Sequence, residues 1–247
     1  DIYTYVNEDP DLKVVNYFVV GTTYTTDDAN NKIILPNTKV SLLAENDEIV
    51  AESFTTEDGK FKFRVYAEED YNLIGEKTDY FTTRKEFTTM DKSVDRSTLT
   101  EFITNITFET EIMMDRIVLE KAIVLNNIYY DLDKANIRPD AAKVLDSLVL
   151  IMNDNPEIFI ELGSHTDARE SDAYNMDLSQ RRAKSAVDYI VSKGVSSERI
   201  VAKGYGETQL LIPNAINEEQ HQRNRRTEFK VLRYNPKEQP EEEPEVE

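Results

Sequence analysis

The first half of the chain alternates apolar and polar positions in short runs, and turn-forming residues separate these runs. Such alternation is typical of strands that bury one face. The Asn-Asp pair in "ENDE" and the Asp-Gly pair in "EDGK" fall where tight turns are expected. The pattern predicts an all-β antiparallel sandwich. Its predicted strands are 16–24, 39–44, 48–56, 61–66, 71–77 and 80–89.

The second half combines longer apolar runs with helical periodicity. The run "KAIVLNNIYYDL" is continuously apolar, as in a strand of a covered sheet. Pro139 lies in the first turn of one predicted helix and Pro156 just beyond its end, while Gly194 ends the other helix. The order predicts a β-α-β-α-β-β two-layer domain with both helices on one sheet. The predicted elements are strand 121–132, helix 138–156, strand 157–163, helix 173–194, strand 199–206 and strand 227–233.

The two patterns divide an α+β chain into segments. We predict a linker or the end of an upstream domain at 1–15, the sandwich at 16–112, the two-layer domain at 113–234 and a tail at 235–247. Residues 90–118 should supply the last sandwich strand and a short linker. The tail is rich in Pro and Glu, buries no apolar surface and is expected to be disordered. Because Asp1 is an unusual natural start, we expect a fragment or mature piece of a longer protein.

Composition narrows the function. The chain has 48 acidic and 29 basic residues, a net charge of −19. This charge argues against binding nucleic acid or an anionic membrane surface, since both require basic patches. The lack of cysteine excludes disulfides, cysteine-zinc sites and cysteine nucleophiles. No apolar run is long enough for a transmembrane helix.

His165 in "GSHTD" is the first candidate for catalysis or metal binding. A zinc site would need His165 to converge with His221, the other histidine, without the usual ligand spacing. A serine hydrolase would need a Gly-rich nucleophile elbow, whereas Ser164 adjoins His165 at a strand end. A hydrogen-bonded structural histidine is therefore favoured.

Other possible ligand sites have weaker signals. The loop "TTDDANNK" carries oxygen ligands but lacks the spacing of a calcium loop, which favours a solvated turn. No Gly-rich phosphate loop is present, and the glycines of "KGYGE" are expected to be structural. We therefore expect neither a cofactor nor a metal.

The adjacent arginines of the second predicted helix differ in their geometry. At 100° per residue, Arg181 lies opposite the predicted buried arc and Arg182 lies on its flank, where it can reach the strand ends. Asp167 follows the strand that ends at the same edge. Two interpretations stay open: a structural Asp167–Arg182 salt bridge, or a pocket that binds a zwitterion through both charges. The predicted arc comprises Ala183, Ala186, Val187, Ile190 and Val191.

Four segments resemble the OmpA-like C-terminal domain, which also occurs in peptidoglycan-associated lipoproteins and flagellar stator proteins. These are "IYYDLDKANIRPDA", "GSHTDARESDAYNMDLSQRRA", "RIVAKGYGE" and "NRRTEF", and the likeness covers residues 118–234. Ser164 stands where the family has glycine. The resemblance implies non-covalent binding of peptidoglycan through the diaminopimelate of its stem peptide, without catalysis.

The resemblance also implies which residues bind. The family's key acidic and basic residues fall on Asp167 and Arg182. It places Asp133 and Asn136 in a first loop of the site, and it implies that Arg225 and Arg226 brace the fold. Secondary candidates are Thr166, Arg169, Asn175 and Leu178.

The chemistry of the ligand agrees with this assignment. Diaminopimelate ends in an ammonium and a carboxylate on one carbon, whereas lysine, its replacement in many walls, lacks that carboxylate. Lysine would leave Arg182 without its partner. Two other functions remain as hypotheses: a protein scaffold or adhesion module with a structural Asp167–Arg182 pair, and a wall hydrolase.

The first half resembles the carboxypeptidase-regulatory-like β-sandwich, through "VVGTTYTTDDANNKIILPNTKVSLL" and "TTEDGKFKFRV". Such modules precede OmpA-like domains in envelope lipoproteins, including PorE-like components of type IX secretion and gliding systems. The resemblance implies a periplasmic, outer-membrane-associated protein whose sandwich contacts an envelope partner.

Overall fold

The computed structural model describes residues 9–125 and 137–236. The chain divides into two compact units, Asp1–Arg116 and Ile117–Glu247. The division lies four positions beyond the boundary predicted after residue 112. The shift follows from the last strand of unit 1, Ile103–Met113, which extends past the predicted boundary.

The described residues of unit 1 form eight strands in two four-stranded sheets. In the first sheet, β1 pairs with β2 and β5 on one edge and with β8 on the other; the second sheet has the order β4-β3-β6-β7. Tyr17 and Phe63 of the first sheet pack in one apolar core with Leu42 and Leu73 of the second. The strands are β1 (Val14–Thr26), β2 (Lys32–Ile34), β3 (Lys39–Ala44), β4 (Ile49–Phe54), β5 (Lys60–Val65), β6 (Asp70–Glu76), β7 (Thr83–Thr88) and β8 (Ile103–Met113).

The sandwich departs from the antiparallel expectation at one pair. β8 runs parallel to β1 over eleven pairs, from Val14↔Ile103 to Tyr24↔Met113. The preceding strand, β7, belongs to the other sheet, so the connection crosses between sheets and returns β8 in the direction of β1. Residues 90–118 thus contain the last strand of the sandwich, as predicted.

The loop "TTDDANNK" is a self-capped turn. The Asp27 carboxylate accepts hydrogen bonds from the backbone N–H groups of Ala29 and Asn31, at 2.9 and 2.8 Å. It also accepts one from the side-chain amide of Asn31, at 2.9 Å. These local donors lower the pKa of Asp27, with the side chain of Asn31 contributing most. The acidic residue of this loop therefore serves the turn itself.

Unit 2 packs the longer helix, α2, against a mixed sheet of order β11-β10-β12-β9, and the helix α1 contacts α2. β10 and β11 are parallel, and the other pairs are antiparallel. Gly194 follows α2 with φ 101°, the left-handed conformation expected of a residue that ends a helix. The elements are β9 (Ile123–Leu125), α1 (Pro139–Asp154), β10 (Ile158–His165), α2 (Asp172–Ser192), β11 (Ile200–Gly206), α3 (Glu218–Asn224) and β12 (Thr227–Tyr234).

Three details of unit 2 differ from the sequence-based expectations. β10 continues past Gly163 to His165. A short helix, α3, lies in the segment predicted as a loop before the last strand. β9 is an edge strand whose Ile123 and Val124 are exposed, whereas a covered strand was predicted. The rest of the predicted strand lies outside the described residues. None of the described helices is long and apolar enough to cross a membrane.

Helix α2 packs on β11 at backbone distance. A Cβ added to Gly204 would lie 2.3 Å from the backbone nitrogen of Gln180. The N–H of Gly204 donates to the side-chain oxygen of Gln180, and the N–H of Gly206 donates to the hydroxyl of Ser179. Gly206 has φ 50°, which favours glycine. The glycines of "KGYGE" therefore permit the close approach of helix and strand.

Arg199 binds the end of α1 to the sheet. Its Nη2 donates to the carbonyl oxygens of Met152 and Asn155, at 2.8 and 2.6 Å, and its Nε donates to that of Ile158, at 3.2 Å. These carbonyls lie where α1 ends and β10 begins, and helix ends leave such acceptors unsatisfied. One guanidinium therefore fixes the turn between the first helix and the central strand.

We predict that Gly204→Ala destabilises unit 2 by about 1–3 kcal/mol, because the added methyl group forces α2 from β11. Urea denaturation followed by NMR of the core methyl groups of Leu162 and Ile190 measures this effect. Val201→Thr, at an exposed position of the same strand, is the control and should change stability little. Equal stability of Gly204→Ala and the wild type would contradict the packing argument.

Candidate functional site at the end of β10

Asp167 lies in the loop that joins β10 to α2, and hydrogen bonds fix that loop from three directions. The N–H groups of His165 and Thr166 donate to the carbonyls of Arg226 and Gly206, each at 2.9 Å. The side-chain amide of Asn175, in α2, donates to the carbonyl of Asp167 at 3.0 Å. Asp167 is only 6% exposed. Its position is therefore set by β11, β12 and α2 together.

The two carboxylate oxygens of Asp167 have different partners. Oδ2 accepts from Nη2 and Nε of Arg169, at 2.7 and 3.1 Å, and from Nη1 of Arg225, at 2.5 Å. Oδ1 accepts from the backbone N–H of Arg169 at 3.2 Å. Within the described residues, two guanidinium groups thus hold one oxygen and a single backbone donor contacts the other.

Glu218 closes this cluster into a ring of alternating charges. Its Oε2 accepts from Nη1 of Arg169 at 2.9 Å, and its Oε1 accepts from Nη2 of Arg225 at 2.5 Å. Gln222 also accepts from Arg225. We call Asp167, Arg169, Glu218 and Arg225 the charge ring. Glu218 is the first residue of α3 and Arg225 directly follows the last, so this short helix positions two members of the ring.

The charge ring keeps Asp167 ionised. Burial alone would raise the pKa of the Asp167 carboxyl, but hydrogen bonds from Arg169 and Arg225 outweigh burial and lower it. The same contacts raise the pKa of Arg169, chiefly through its hydrogen bond to Asp167. At neutral pH the site therefore contains a buried, ionised carboxylate.

Arg181 and Arg182 lie on different faces of α2, as the helix geometry predicts. Arg181 is exposed and pairs with Asp177 at 2.8 Å, one turn earlier. Arg182 is only 7% exposed. It lies on the face that buries Asn175 and Leu178, since positions seven apart share a helix face. The buried face is thus rotated towards Arg182, and the predicted members Val187 and Val191 are only partly buried.

The interpretation of a structural Asp167–Arg182 salt bridge is wrong. Among the ion pairs that the described residues make, those of Asp167 join it to Arg169 and Arg225. The partners of Asp167 come from the adjacent loop and from the residue that follows α3, and not from α2. Asp167 and Arg182 therefore do not compensate each other directly.

Arg225 belongs to the cluster around Asp167, contrary to its predicted role. It was expected to brace the fold together with Arg226, yet its guanidinium contacts Asp167 across 58 positions of sequence. Arg226 does brace the fold: it pairs with the buried Glu228 at 3.0 Å and donates to the carbonyl of Gln209. The "NRR" motif indicates a charged cluster. The preceding helix has only seven residues, which is too short for its periodicity to show which arginine faces Asp167.

Thr166 and Leu178 are both buried beside Asp167 and Arg182. The hydroxyl of Thr166 has no hydrogen-bond partner within the described part of the chain. Asp133 and Asn136, the predicted first loop of the site, lie outside the described residues.

His165 has the surroundings of a structural side chain. It is fully buried, and its ring stacks on Tyr205 with a centroid distance of 4.8 Å. Its Nε2 lies 3.2 Å from Oε1 of Glu228. Burial is the main cause that lowers the pKa of His165, so the imidazole is neutral at pH 7. These contacts support the structural role predicted for His165.

Comparison with known proteins assigns part of the chain to a family. Residues 129–225 match the OmpA family. Over 94 residues the chain is 34% identical to Outer membrane protein A of Escherichia fergusonii, covering 37% of this chain and 39% of that protein. Residues 129–225 are an OmpA-like domain. Outer membrane porin F of Pseudomonas fluorescens is 37% identical over 105 residues, covering 42% of this chain and 32% of that protein.

Two further similar proteins differ in how much of their own length is matched. Photosystem I P700 chlorophyll a apoprotein A2 of Gloeobacter violaceus is 37% identical over 110 residues, covering 42% of this chain but 13% of that protein. The chain thus spans between 13% and 39% of the lengths of these three relatives. A solved structure of the peptidoglycan-associated lipoprotein from Burkholderia pseudomallei is 22% identical, covering 42% of this chain and 86% of that chain, with TM-score 0.39.

We predict that the buried carboxylate of Glu228 makes the stability of unit 2 depend on pH in the acidic range. Burial alone would raise the pKa of Glu228, but the adjacent imidazole of His165 and the charge of Arg226 lower it to about 2. An unfolded glutamate has a pKa of about 4.3. A lowered pKa in the folded state stabilises above the unfolded pKa, and this stabilisation is lost as pH falls from about 4 to 2.

Glu228→Gln should therefore lower the free energy of unfolding at pH 7, and its difference from the wild type should shrink between pH 4 and 2. Urea denaturation at pH 7, 4 and 2.5, followed by the core methyl signals of unit 2, measures this difference. Glu198→Gln, at an exposed position, is the control. A difference that stays constant across this pH range would contradict the assignment.

Proposed function

We propose that the OmpA-like domain binds peptidoglycan non-covalently through the diaminopimelate of its stem peptide. Asp167 would bind the side-chain ammonium and Arg182 the carboxylate on the same carbon. The carrying observation is that two residues of opposite charge are buried near one strand end without forming a pair with each other. A zwitterion offers a charge of opposite sign to each of these two residues.

The geometry of α2 supports this pairing with a ligand. Asn175 holds the carbonyl of Asp167, and Arg182 lies two turns further along the same helix face, about 10 Å away along the axis. Helical side chains lean towards the N-terminus of their helix, so the long arginine side chain extends back towards Asp167. Thr166, Arg169, Asn175 and Leu178 would line this path, and Asp133 and Asn136 would complete the site from the first loop.

Specificity for diaminopimelate follows from the second charge. A lysine-type stem peptide presents an ammonium alone, so Arg182 would lose its carboxylate and remain buried without that compensation. A guanidinium–carboxylate pair gains two parallel hydrogen bonds and is one of the stronger polar contacts in proteins. The site is therefore suited to discrimination and holds the wall peptide without cutting it.

We further propose that the protein acts in the periplasm and anchors an outer-membrane or secretion-system assembly to the cell wall. Similarity to outer membrane proteins supports this location. The sandwich of unit 1 would contact an envelope protein, as a carboxypeptidase-regulatory-like module of a PorE-like type IX secretion lipoprotein would. The alternative is a scaffold with a structural Asp167–Arg182 pair. It is less well supported, because Asp167 pairs with Arg169 and Arg225.

Binding to purified sacculi tests the proposal. Asp167→Asn and Arg182→Gln should each weaken co-sedimentation with diaminopimelate-type sacculi about 10-fold or more, since each loses a charged hydrogen bond of about 1.5–3 kcal/mol. Arg181→Gln is the matched control: it removes the same charge one position away, on the exposed face, and should bind like the wild type.

Lysine-type sacculi should bind the wild type weakly, and the turbidity of either kind of sacculus should stay constant during incubation. Each variant is first compared with the wild type by thermal unfolding. Full binding by folded Asp167→Asn and Arg182→Gln would contradict the proposal, and release of soluble muropeptides would point to the hydrolase.

A further inference from the structure

The last strand of unit 1, β8, has one edge that no other strand of the described residues covers, because β8 pairs with β1 alone. The N–H of Val14 donates to the carbonyl of Phe102, and the N–H of Met114 donates to the carbonyl of Tyr24, each at 2.8 Å. Backbone polar groups of successive strand residues point to opposite edges. The even-numbered residues of β8 therefore bond to β1, and the odd-numbered ones direct their N–H and C=O groups to the free edge.

This free edge is open over residues 103–109 and closed further along. The carbonyl of Glu111 accepts from Nζ of Lys85 at 2.8 Å. Beyond it, the carbonyl of Asp115 accepts from the N–H of Phe81, also at 2.8 Å. Within the described part of the chain, no hydrogen bond reaches the outward backbone groups of 103–109. Four successive outward residues therefore present unpaired donors and acceptors.

The other four edge strands of unit 1 are protected against pairing with a further strand. Short length, basic side chains and bulges are the usual protection of a sheet edge. β2 has three residues, and β4 pairs with β3 through a register shift at Leu42 and Leu43. β5 has basic residues at three of its six positions, and β7 contains Arg84 and Lys85. By contrast, β8 has eleven residues in unbroken register and contains no proline, lysine or arginine.

The side chains of β8 define the chemistry of a strand that could pair there. Ile106 and Phe108 face the sandwich core but are only partly buried, so apolar side chains could cover them. Residues 101–115 contain four acidic residues and no basic one. Lys92 lies over the ring of Phe108, with Nζ 5.3 Å from its centre, so the core-facing side already has a cation. Basic side chains of an added strand therefore belong on the outer face, beside Glu109.

We propose that β8 binds an extended segment of a partner protein in which apolar and basic residues alternate. The segment adds a strand to the first sheet of unit 1 along residues 103–109: backbone hydrogen bonds supply affinity, and the alternating side chains supply specificity. A second copy of this chain fits less well, because each copy has a net charge of −19 and like-charged copies repel each other.

The inference rests on one part of the proposed function, the contact of unit 1 with an envelope protein. It gives that contact a surface and a ligand chemistry. It does not depend on the binding of peptidoglycan by unit 2.

Hydrogen exchange of the full chain, measured by NMR with and without a peptide of alternating valine and lysine, tests the inference. In the free protein, the amides of Asn105, Thr107 and Glu109 should exchange fast, whereas those of Ile106 and Phe108, bonded to β1, should exchange slowly. Saturating peptide should slow the first set about 10-fold or more, because these amides gain hydrogen bonds. A peptide with glutamate in place of lysine should have no such effect.

Two methylated peptides test the backbone pairing without changing the protein. One carries N-methyl groups on its valines and the other on its lysines, so each blocks the donors of one peptide edge. Only one edge of an added strand faces β8. Exactly one of the two peptides should therefore lose binding, and its identity reports whether the strand is parallel or antiparallel to β8.

Variants of β8 locate the binding surface. Thr107→Pro removes an outward N–H and leaves the bonds to β1 in place, so it should weaken the peptide about 10-fold or more in fluorescence anisotropy. Glu109→Lys should weaken it about threefold, through repulsion of the lysines. Glu57→Lys makes the same change at an exposed turn of unit 1 and is the matched control, which should bind like the wild type.

Thermal unfolding first compares each variant with the wild type, and the methylated peptides carry the test if Thr107→Pro does not fold. Absence of peptide binding, or full binding by folded Thr107→Pro, overturns the inference. Protection of the outward amides that rises with protein concentration and needs no peptide overturns it in favour of a second copy. Thr107→Pro should still bind sacculi, so failure of wall binding in the wild type would overturn only the function proposed for unit 2.

Discussion

The contact between α2 and β11 at Gly204 and Gly206 positions most of the candidate site. Gly204 lets the helix backbone approach the strand, and the N–H of Gly206 donates to Ser179 of α2. The carbonyl of Gly206 accepts the N–H of Thr166, the residue before Asp167. One short strand end therefore fixes both the helix that presents Arg182 and the loop that presents Asp167. A side chain at Gly204 would disturb both.

Unit 2 buries several charges, and it stabilises them in two different ways. Glu228 is surrounded by Arg226, Lys230 and the neutral His165 and is compensated inside the fold. Asp167 is compensated on one oxygen only, by residues of a surface loop and a short helix. Removing one partner from a buried pair leaves an uncompensated charge, which is strongly destabilising. The first cluster therefore supports the fold, and the second leaves acceptor capacity for a ligand.

Much of unit 2 could be predicted from sequence because its elements have strong local signals. Pro139 and Gly194 mark helix ends through their own backbone preferences, and both elements ended within a few residues of the prediction. Helical periodicity alone predicts that Arg181 and Arg182 lie on different faces of α2. In unit 1, alternation and turn residues predicted the strands, whereas the parallel pairing of β8 with β1 depends on a crossing between sheets. The pairing of strands that are far apart in the chain cannot be predicted from local sequence patterns.

The sequence by itself determined the class of each half, the main helices and strands, and Asp167 and Arg182 as candidate binding residues. Local propensity and residue spacing suffice for those features. Only the tertiary structure decided which cations hold Asp167, because Arg225 reaches it across 58 positions from a helix too short to have a clear periodic pattern. It also decided that Asp167 and Arg182 do not pair. Such contacts depend on how loops meet in space, and the spacing of residues along the sequence does not predict which side chains will be close.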